Sequence, residues 1–189
     1  MKNKYEIRGN VTAIFVRGKG GIILETLIDT DDLPKAQEFP NLWYAIWRED
    51  TQGFCVKGNI RRGGGKRDSI LLHRWITEAK KGQVVDHINH DTLDNRRENL
   101  RIVTDLENQQ NRIKAQKNNT SGIPGVTWVK DKQKWKAQIQ ICGRNKHLGY
   151  FDKKEDTAIA AIKARLKYHA IPEQNKKYLL AFIKDAAVV

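Results

Sequence analysis

Apolar and polar positions are patterned differently along three stretches of the chain. In the first, residues 11–16 and 21–24 are short β-favouring runs separated by the turn-forming Arg17, Gly18, Lys19 and Gly20. Residues 42–47 form a further apolar run, and residues 53–57 read as another strand. Residues 61–67, Arg-Arg-Gly-Gly-Gly-Lys-Arg, have the composition of a flexible basic hairpin tip. Residues 1–68 are therefore expected to be β-rich.

The second stretch, residues 69–115, reads as a short helix over 71–79, a strand over 83–88 and a polar loop over 89–99. A second strand over 100–103 follows, then a helix. Thr104 with Glu107 fits a capping box: the hydroxyl accepts a bond from an orphan amide, and the glutamate reaches back to the cap. Residues 116–122 are free of apolar side chains and make the best linker. Residues 123–170 read as three strands (126–130, 135–142, 146–151) followed by a helix over 155–169. The middle strand alternates cleanly, with Trp135, Ala137, Ile139 and Ile141 on one face and Lys136, Gln138 and Gln140 on the other. A helical extension occupies residues 171–189. The expected fold class is α+β: a β-rich N-terminal region, a strand–loop–strand–helix finger, and a three-stranded antiparallel sheet packed on a helix.

Composition narrows the class of partner. The hydrophobic fraction of 39% argues against wholesale disorder. No apolar run approaches the roughly 20 residues that cross a bilayer, and the first residues lack a signal-peptide core. A cytoplasmic, monomeric protein without membrane partners is expected. The two cysteines, Cys55 and Cys142, are too far apart in sequence for a metal knuckle, and both are expected to be reduced. The net charge of +13 points to a polyanion. The excess is localised: residues 112–169 carry 14 Lys/Arg against 4 Asp/Glu, whereas residues 71–111 carry 6 against 7.

The mildly acidic middle stretch holds the candidate chemistry. Asp86 and His87 end a strand, and Asn108 lies one turn into the following helix. Strand, strand and helix can pack so that Asp86 and Asn108 reach one ion. Two protein oxygens suit Mg²⁺, which keeps several waters and takes substrate phosphate oxygens. A histidine beside such a site can act as general base for an attacking water. One geometric difficulty stands: adjacent strand residues point to opposite faces.

This stretch resembles the HNH endonucleases of phage and intron-homing type, whose fold is the ββα-metal finger. The resemblance is carried by Leu72, His73 and Arg74, by Val85, Asp86 and His87, by the loop 91–95, by Asn99, Leu100 and Arg101, and by residues 104–108. It implies that Asp86 is a metal ligand, that His87 is the general base, that Asn99 braces the loop, and that Asn108 is the second ligand. Many relatives carry histidine at that last position. The asparagine here favours Mg²⁺ or Mn²⁺ over zinc, and without CxxC pairs no structural zinc is expected. His73 is expected to pack within the finger, and His90 is the alternative base.

The basic stretch resembles the plant ethylene-response-factor DNA-binding domain, of the apetala-two type. The shared residues are Gly125, Val126, Lys134, Trp135, Ala137, Ile139, Leu148, Gly149 and Phe151, with an alanine-rich helix after them. The resemblance implies a narrow sheet lying in a DNA major groove. Where the plant domains have arginines, this chain has Thr127, Lys136, Gln138, Gln140, Asn145 and His147, so base preference does not carry over. Lys130, Lys132, Lys134, Arg144 and Lys146 are expected at the phosphate backbone.

Together these readings describe a site-specific endonuclease of homing type that hydrolyses phosphodiester bonds in double-stranded DNA with one divalent metal and a histidine base. The alternative is a non-catalytic, sequence-specific DNA-binding regulator that uses the finger as scaffold. On the first reading, removing residues 116–189 weakens DNA binding far more than it disturbs the metal site.

Overall fold

The computed structural model describes residues 1–49, 51–61, 67–111, 115 and 118–186. The chain forms two compact units, Met1–Thr104 and Asp105–Val189, and the fold class is α+β. Among the described residues no helix is long and apolar enough to cross a membrane.

The first unit is organised around β2 (Val11–Arg17), whose Thr12, Ala13, Ile14 and Val16 are all buried. β1 (Tyr5–Arg8) and β3 (Ile23–Asp29) pair with it antiparallel, and β4 (Trp43–Arg48) joins in parallel through one pair, Arg17 with Tyr44. β5 (Gly53–Arg61) and β6 (Arg67–Leu71) complete a six-stranded sheet. Of the basic stretch 61–67, Arg61 and Arg67 pair as strand residues; residues 62–66 lie outside the described residues.

Two short helices, α1 (Leu33–Gln37) and α2 (Leu72–Thr77), help build the core. Leu33, Ala36, Leu72 and Ile76 pack with Ile14, Val16, Ile28, Trp43, Ala45 and Val56. Phe39 stacks on Trp43 with ring centroids 3.9 Å apart, and Trp75 meets both rings edge-on. Burying side chains of this size stabilises by about 1.5–3 kcal/mol each. Gly58 makes the stack possible, since a Cβ there would sit 2.2 Å from the Phe39 ring. α2 stops at Glu78, which is left-handed at φ 52° and whose amide donates to the Arg74 carbonyl.

The finger follows in the same unit. β7 (Val84–His87) and β8 (Leu100–Val103) pair antiparallel, with Asp86 opposite Arg101 and His87 opposite Leu100. The loop between them is tied to the large sheet. Leu27 donates its amide to the Leu93 carbonyl at 2.9 Å, and Asn95 donates to the Leu27 carbonyl at 2.8 Å. Arg97 donates to the Asp32 carboxylate at 2.6 Å, which gives a buried charge its partner. The β-rich N-terminal region is thus the scaffold of the finger loop.

The second unit begins with α3 (Asp105–Gln110). Residues 118–122 of the expected linker form a hydrogen-bonded loop rather than an open tether. Asn119 and Ser121 both reach the Val126 carbonyl, at 3.2 and 2.8 Å. β9 (Val126–Val129), β10 (Lys134–Ile141) and β11 (Arg144–Phe151) form an antiparallel sheet in the order β11-β10-β9. Val126 and the half-buried Trp135 pack on Ala158 and Ala161 of α4 (Lys154–Tyr168). α5 (Glu173–Ala186) buries Leu179 against Ile162 and Ile171.

Candidate active site

The pleat of β7 decides what its last two residues can do. Successive side chains leave opposite faces, so Asp86 turns toward Arg101 and His87 toward the loop. Both are buried, at 8% and 6% exposure. Arg101 donates from Nε and Nη2 to Asp86 Oδ2 at 3.0 and 2.8 Å. The buried carboxylate thereby has an ion-pair partner.

His87 meets two groups. Its Nε2 lies 3.1 Å from Asn95 Oδ1. The ring of His73, on α2, meets it edge-on with centroids 4.9 Å apart. Burial pulls the His87 imidazole below its ordinary 6.5, opposed by the Asn95 bond and by Asp86, Asp91 and Asp94. His73 is pulled down to about 3, by burial first and then by the charges of His87, Arg74 and Arg48.

Hydrogen-bond logic fixes the tautomer of His87. Thr26 Oγ1, on β3, donates its one proton to the Leu93 carbonyl at 2.7 Å. It can therefore only accept from Asn95 Nδ2, 2.8 Å away. The Asn95 amide is thereby oriented with Oδ1 toward the ring. An oxygen there accepts, so Nε2 carries the hydrogen and Nδ1 keeps the lone pair.

Asn99 ties the loop across its width. Its Oδ1 accepts the Asn89 amide at 2.9 Å and its Nδ2 donates to the Asp94 carbonyl at 2.8 Å. Asp94 in turn accepts two bonds from Arg96 at 2.8 Å each. Burial would raise Asp94, but the Arg96 bonds outweigh it and hold its carboxyl below the ordinary range. His90 is exposed, with backbone in the left-handed region at φ 65°. Asn108 belongs to the other unit: it is half-buried on α3.

Residues 71–110 match the HNH endonuclease family. The matched segment spans α2, the hairpin, its loop and α3. The chain is also 36% identical over 64 residues to Protein 3.8 of Escherichia phage T7. That similarity covers 34% of this chain and 52% of the phage protein, so the chain spans about half the length of that relative. No solved structure matches.

The sequence motif leads to Asp86, His87 and Asn99 but not to their supports. Asn95 sits inside the polar loop with nothing in the pattern to mark it as the partner of His87. Thr26 is 69 residues from the asparagine it orients, and no local pattern reports such a contact. Arg101 follows the middle asparagine by two places and is identified only by the strand register.

In the second unit the register sorts the basic sheet into faces. Lys136 pairs with Thr127 and Tyr150, Gln138 with His147, and Gln140 with Asn145. These residues share the face opposite Ala137 and Ile139, which are buried. Arg144 and Lys146 pair with Ile141 and Ile139 and so leave from the other face. There Lys146 Nζ lies 5.2 Å from the Tyr168 ring. Lys134 Nζ is 3.2 Å from Asp152. Lys130 and Lys132 are exposed in the short turn before β10.

Proposed function

We propose that the chain is a metal-dependent DNA endonuclease in which His87 is the general base and Asp86 and Asn108 hold one divalent cation. The observation that carries this reading is the oriented imidazole: a buried histidine with Nε2 engaged and Nδ1 left as acceptor, next in sequence to a buried carboxylate. In the proposed reaction His87 Nδ1 takes a proton from water as the water oxygen attacks phosphorus. The bond from phosphorus to the 3′-oxygen breaks, and the departing 3′-alkoxide takes a proton from solvent water, leaving a 3′-hydroxyl and a 5′-phosphate. Asn95 and Thr26 hold the ring in its tautomer, and Asn99 holds the loop that carries Asn95.

The donor set fits the cation by its chemistry. A carboxylate and an amide are hard oxygen donors, which suit Mg²⁺ or Mn²⁺ better than zinc. When bound, such a cation supplies positive charge to the leaving oxygen and the phosphoryl group. Among the described residues no three acidic, histidine or cysteine side chains form a ready cage, and Mg²⁺ requires none, because it retains waters and phosphate oxygens.

The shared face of Thr127, Lys136, Gln138, Gln140, Asn145 and His147 supports a reading in which this sheet contacts duplex DNA. Gln pairs with adenine edges and Lys with guanine or phosphate. Lys130 and Lys134 add charge at the backbone, whereas Arg144 and Lys146, expected there from the sequence, leave from the opposite face and contribute only to the general positive field. A homing-type, site-specific role follows from pairing this sheet with the finger. Selection of cleaved sequences from a random duplex library, with Mg²⁺, is the test. His87→Ala is expected to lower cleavage by about 10²–10⁴-fold. Wild type and His87→Ala equally inert on all sequences and metals would favour a DNA-binding regulator instead.

A further inference from the structure

A concave basin of about 1430 Å³ opens between β2 and β4, remote in sequence from the finger motif. These strands share only the pair Arg17–Tyr44, which leaves the segments beyond it free to line a hollow. Its apolar lining includes Phe15, Tyr44 and Trp47, with Ile23 and Leu42 beside them. Trp47, Leu42 and Ile23 are 44%, 53% and 58% exposed. So much exposed apolar surface in one hollow marks an interaction site.

The rim is cationic. Lys2, Lys4, Arg17 and Lys19 line it, against the single acid Glu49. None of these four cations has an ion-pair partner among the described residues. A smaller hollow of about 390 Å³ adjoins it through Lys2, Leu42 and Tyr44 and adds Arg61 and Arg67. Charged groups and rings thus alternate around the hollow, with Tyr44 and Trp47 leaving β4 from opposite faces at its edge.

We propose that this basin binds a single-stranded nucleic-acid segment, with unpaired bases against the aromatic floor and phosphates on the cationic rim. The charge complements a polyanion. The floor discriminates among polyanions: a duplex keeps its base faces stacked inside and would leave the aromatic surface uncovered. Unpaired bases have free π-faces, and every base has one, so the site reads strandedness rather than sequence. The proposal stands independently of the nuclease reading, because it needs neither metal nor cleavage.

The test is fluorescence anisotropy of the full chain with a short labelled oligothymidylate and, separately, a duplex of equal length, both in EDTA. Tyr44→Ala and Trp47→Ala are each expected to weaken oligothymidylate binding about tenfold and to leave duplex binding unchanged. Tyr44→Phe keeps the ring and should retain affinity. Tyr178→Ala, at an aromatic of α5 that is 71% exposed and does not line the basin, should have no effect. Arg17→Gln with Lys19→Gln should lower the salt dependence by about 0.7 for each charge removed. These two polar changes touch no core residue, so they decide the matter even if Trp47→Ala fails to fold. The proposal is overturned if the aromatic variants bind oligothymidylate like wild type, if they lose duplex and single strand equally, or if polyglutamate competes as well as the oligonucleotide.

Discussion

His87 depends on a chain of contacts whose far end is a threonine on β3. Asn95→Ala removes the acceptor that holds the Nε2 hydrogen and leaves a buried donor unpaired, at a cost of about 1–3 kcal/mol. Loss of ring orientation is expected to lower the single-turnover rate at saturating DNA by about a hundredfold, with DNA affinity retained. The pH profile separates this from simple unfolding. In the proposed role His87 works as the free base, so rate should fall as pH drops through its pKa, which burial places below 6.5. The Asn95 bond raises that pKa, so the variant's acid limb should move to lower pH. A loosened, wetter site would move it the other way, toward 6.5. His73 gives a stability signature of its own. Its folded pKa is near 3, so below pH 6.5 the unfolded state takes up a proton that the native state refuses. Stability is complete above 6.5 and falls by roughly 1.4 kcal/mol per pH unit on the way down to about 3. His73→Leu should flatten this limb in urea titrations across pH. At this scale Asp86, His87 and Asn99 are legible in the sequence because their spacing within one hairpin is local. Asn95 and Thr26 are not, because their roles arise only when β3 meets the loop.

At the scale of elements, what the pattern reveals depends on burial. β2 and β10 are visible because one or both faces are buried. β1 alternates over only four residues and is exposed throughout its length, and β6 runs from three polar residues into two apolar ones, so neither carries an alternation long enough to announce it. α1 has five residues with proline in its first turn, too short for a helical period. The basic unit was more legible, since Ala137 and Ile139 face α4 as the alternation of β10 requires. Its weak point is Gly125. That residue has φ +82°, and a Cβ there would stand 2.4 Å from the backbone oxygen of Gln138. The same pair is joined by the Gln138 amide donating to the Gly125 carbonyl at 2.8 Å. Gly125→Ala therefore combines backbone strain with a contact that no rotamer relieves, and should destabilise the unit by about 1–3 kcal/mol. Thermal unfolding of the full chain, with Gly122→Ala beside it, checks this. Gly122 has a similar positive φ of +74° but nothing within 4 Å of its Cβ, so it reports the backbone strain alone.

For the whole molecule, the charge distribution was legible and the location of α3 was not. The +10 stretch suggests that residues 116–189 supply affinity while the finger keeps its own metal site. The structure changes that division, because α3, which carries Asn108, is anchored within the second unit. Arg165 Nη2 donates to the Gln110 carbonyl at 3.1 Å, the Ala170 amide donates to Gln110 Oε1 at 3.0 Å, and Asn175 Nδ2 donates to Asn111 Oδ1 at 2.8 Å. Asn111 and Asn175 are both buried, so their bond is not readily replaced by water. Deleting residues 116–189 removes every one of these anchors together with the basic sheet. Two full-length variants separate the effects. Lys136→Gln should weaken DNA binding and reduce its salt dependence by about one charge, with the rate at saturating DNA unchanged. Asn175→Ala should leave DNA affinity near wild type but raise the Mg²⁺ concentration needed for half-maximal rate, by about tenfold if the anchor acts as outer-shell partners of ligands do. Single-turnover cleavage titrated separately in DNA and in Mg²⁺ reads both quantities. A fragment ending at residue 115 that cleaves at the full rate once DNA saturates would show that α3 needs no anchor, and would return the metal site to the finger alone.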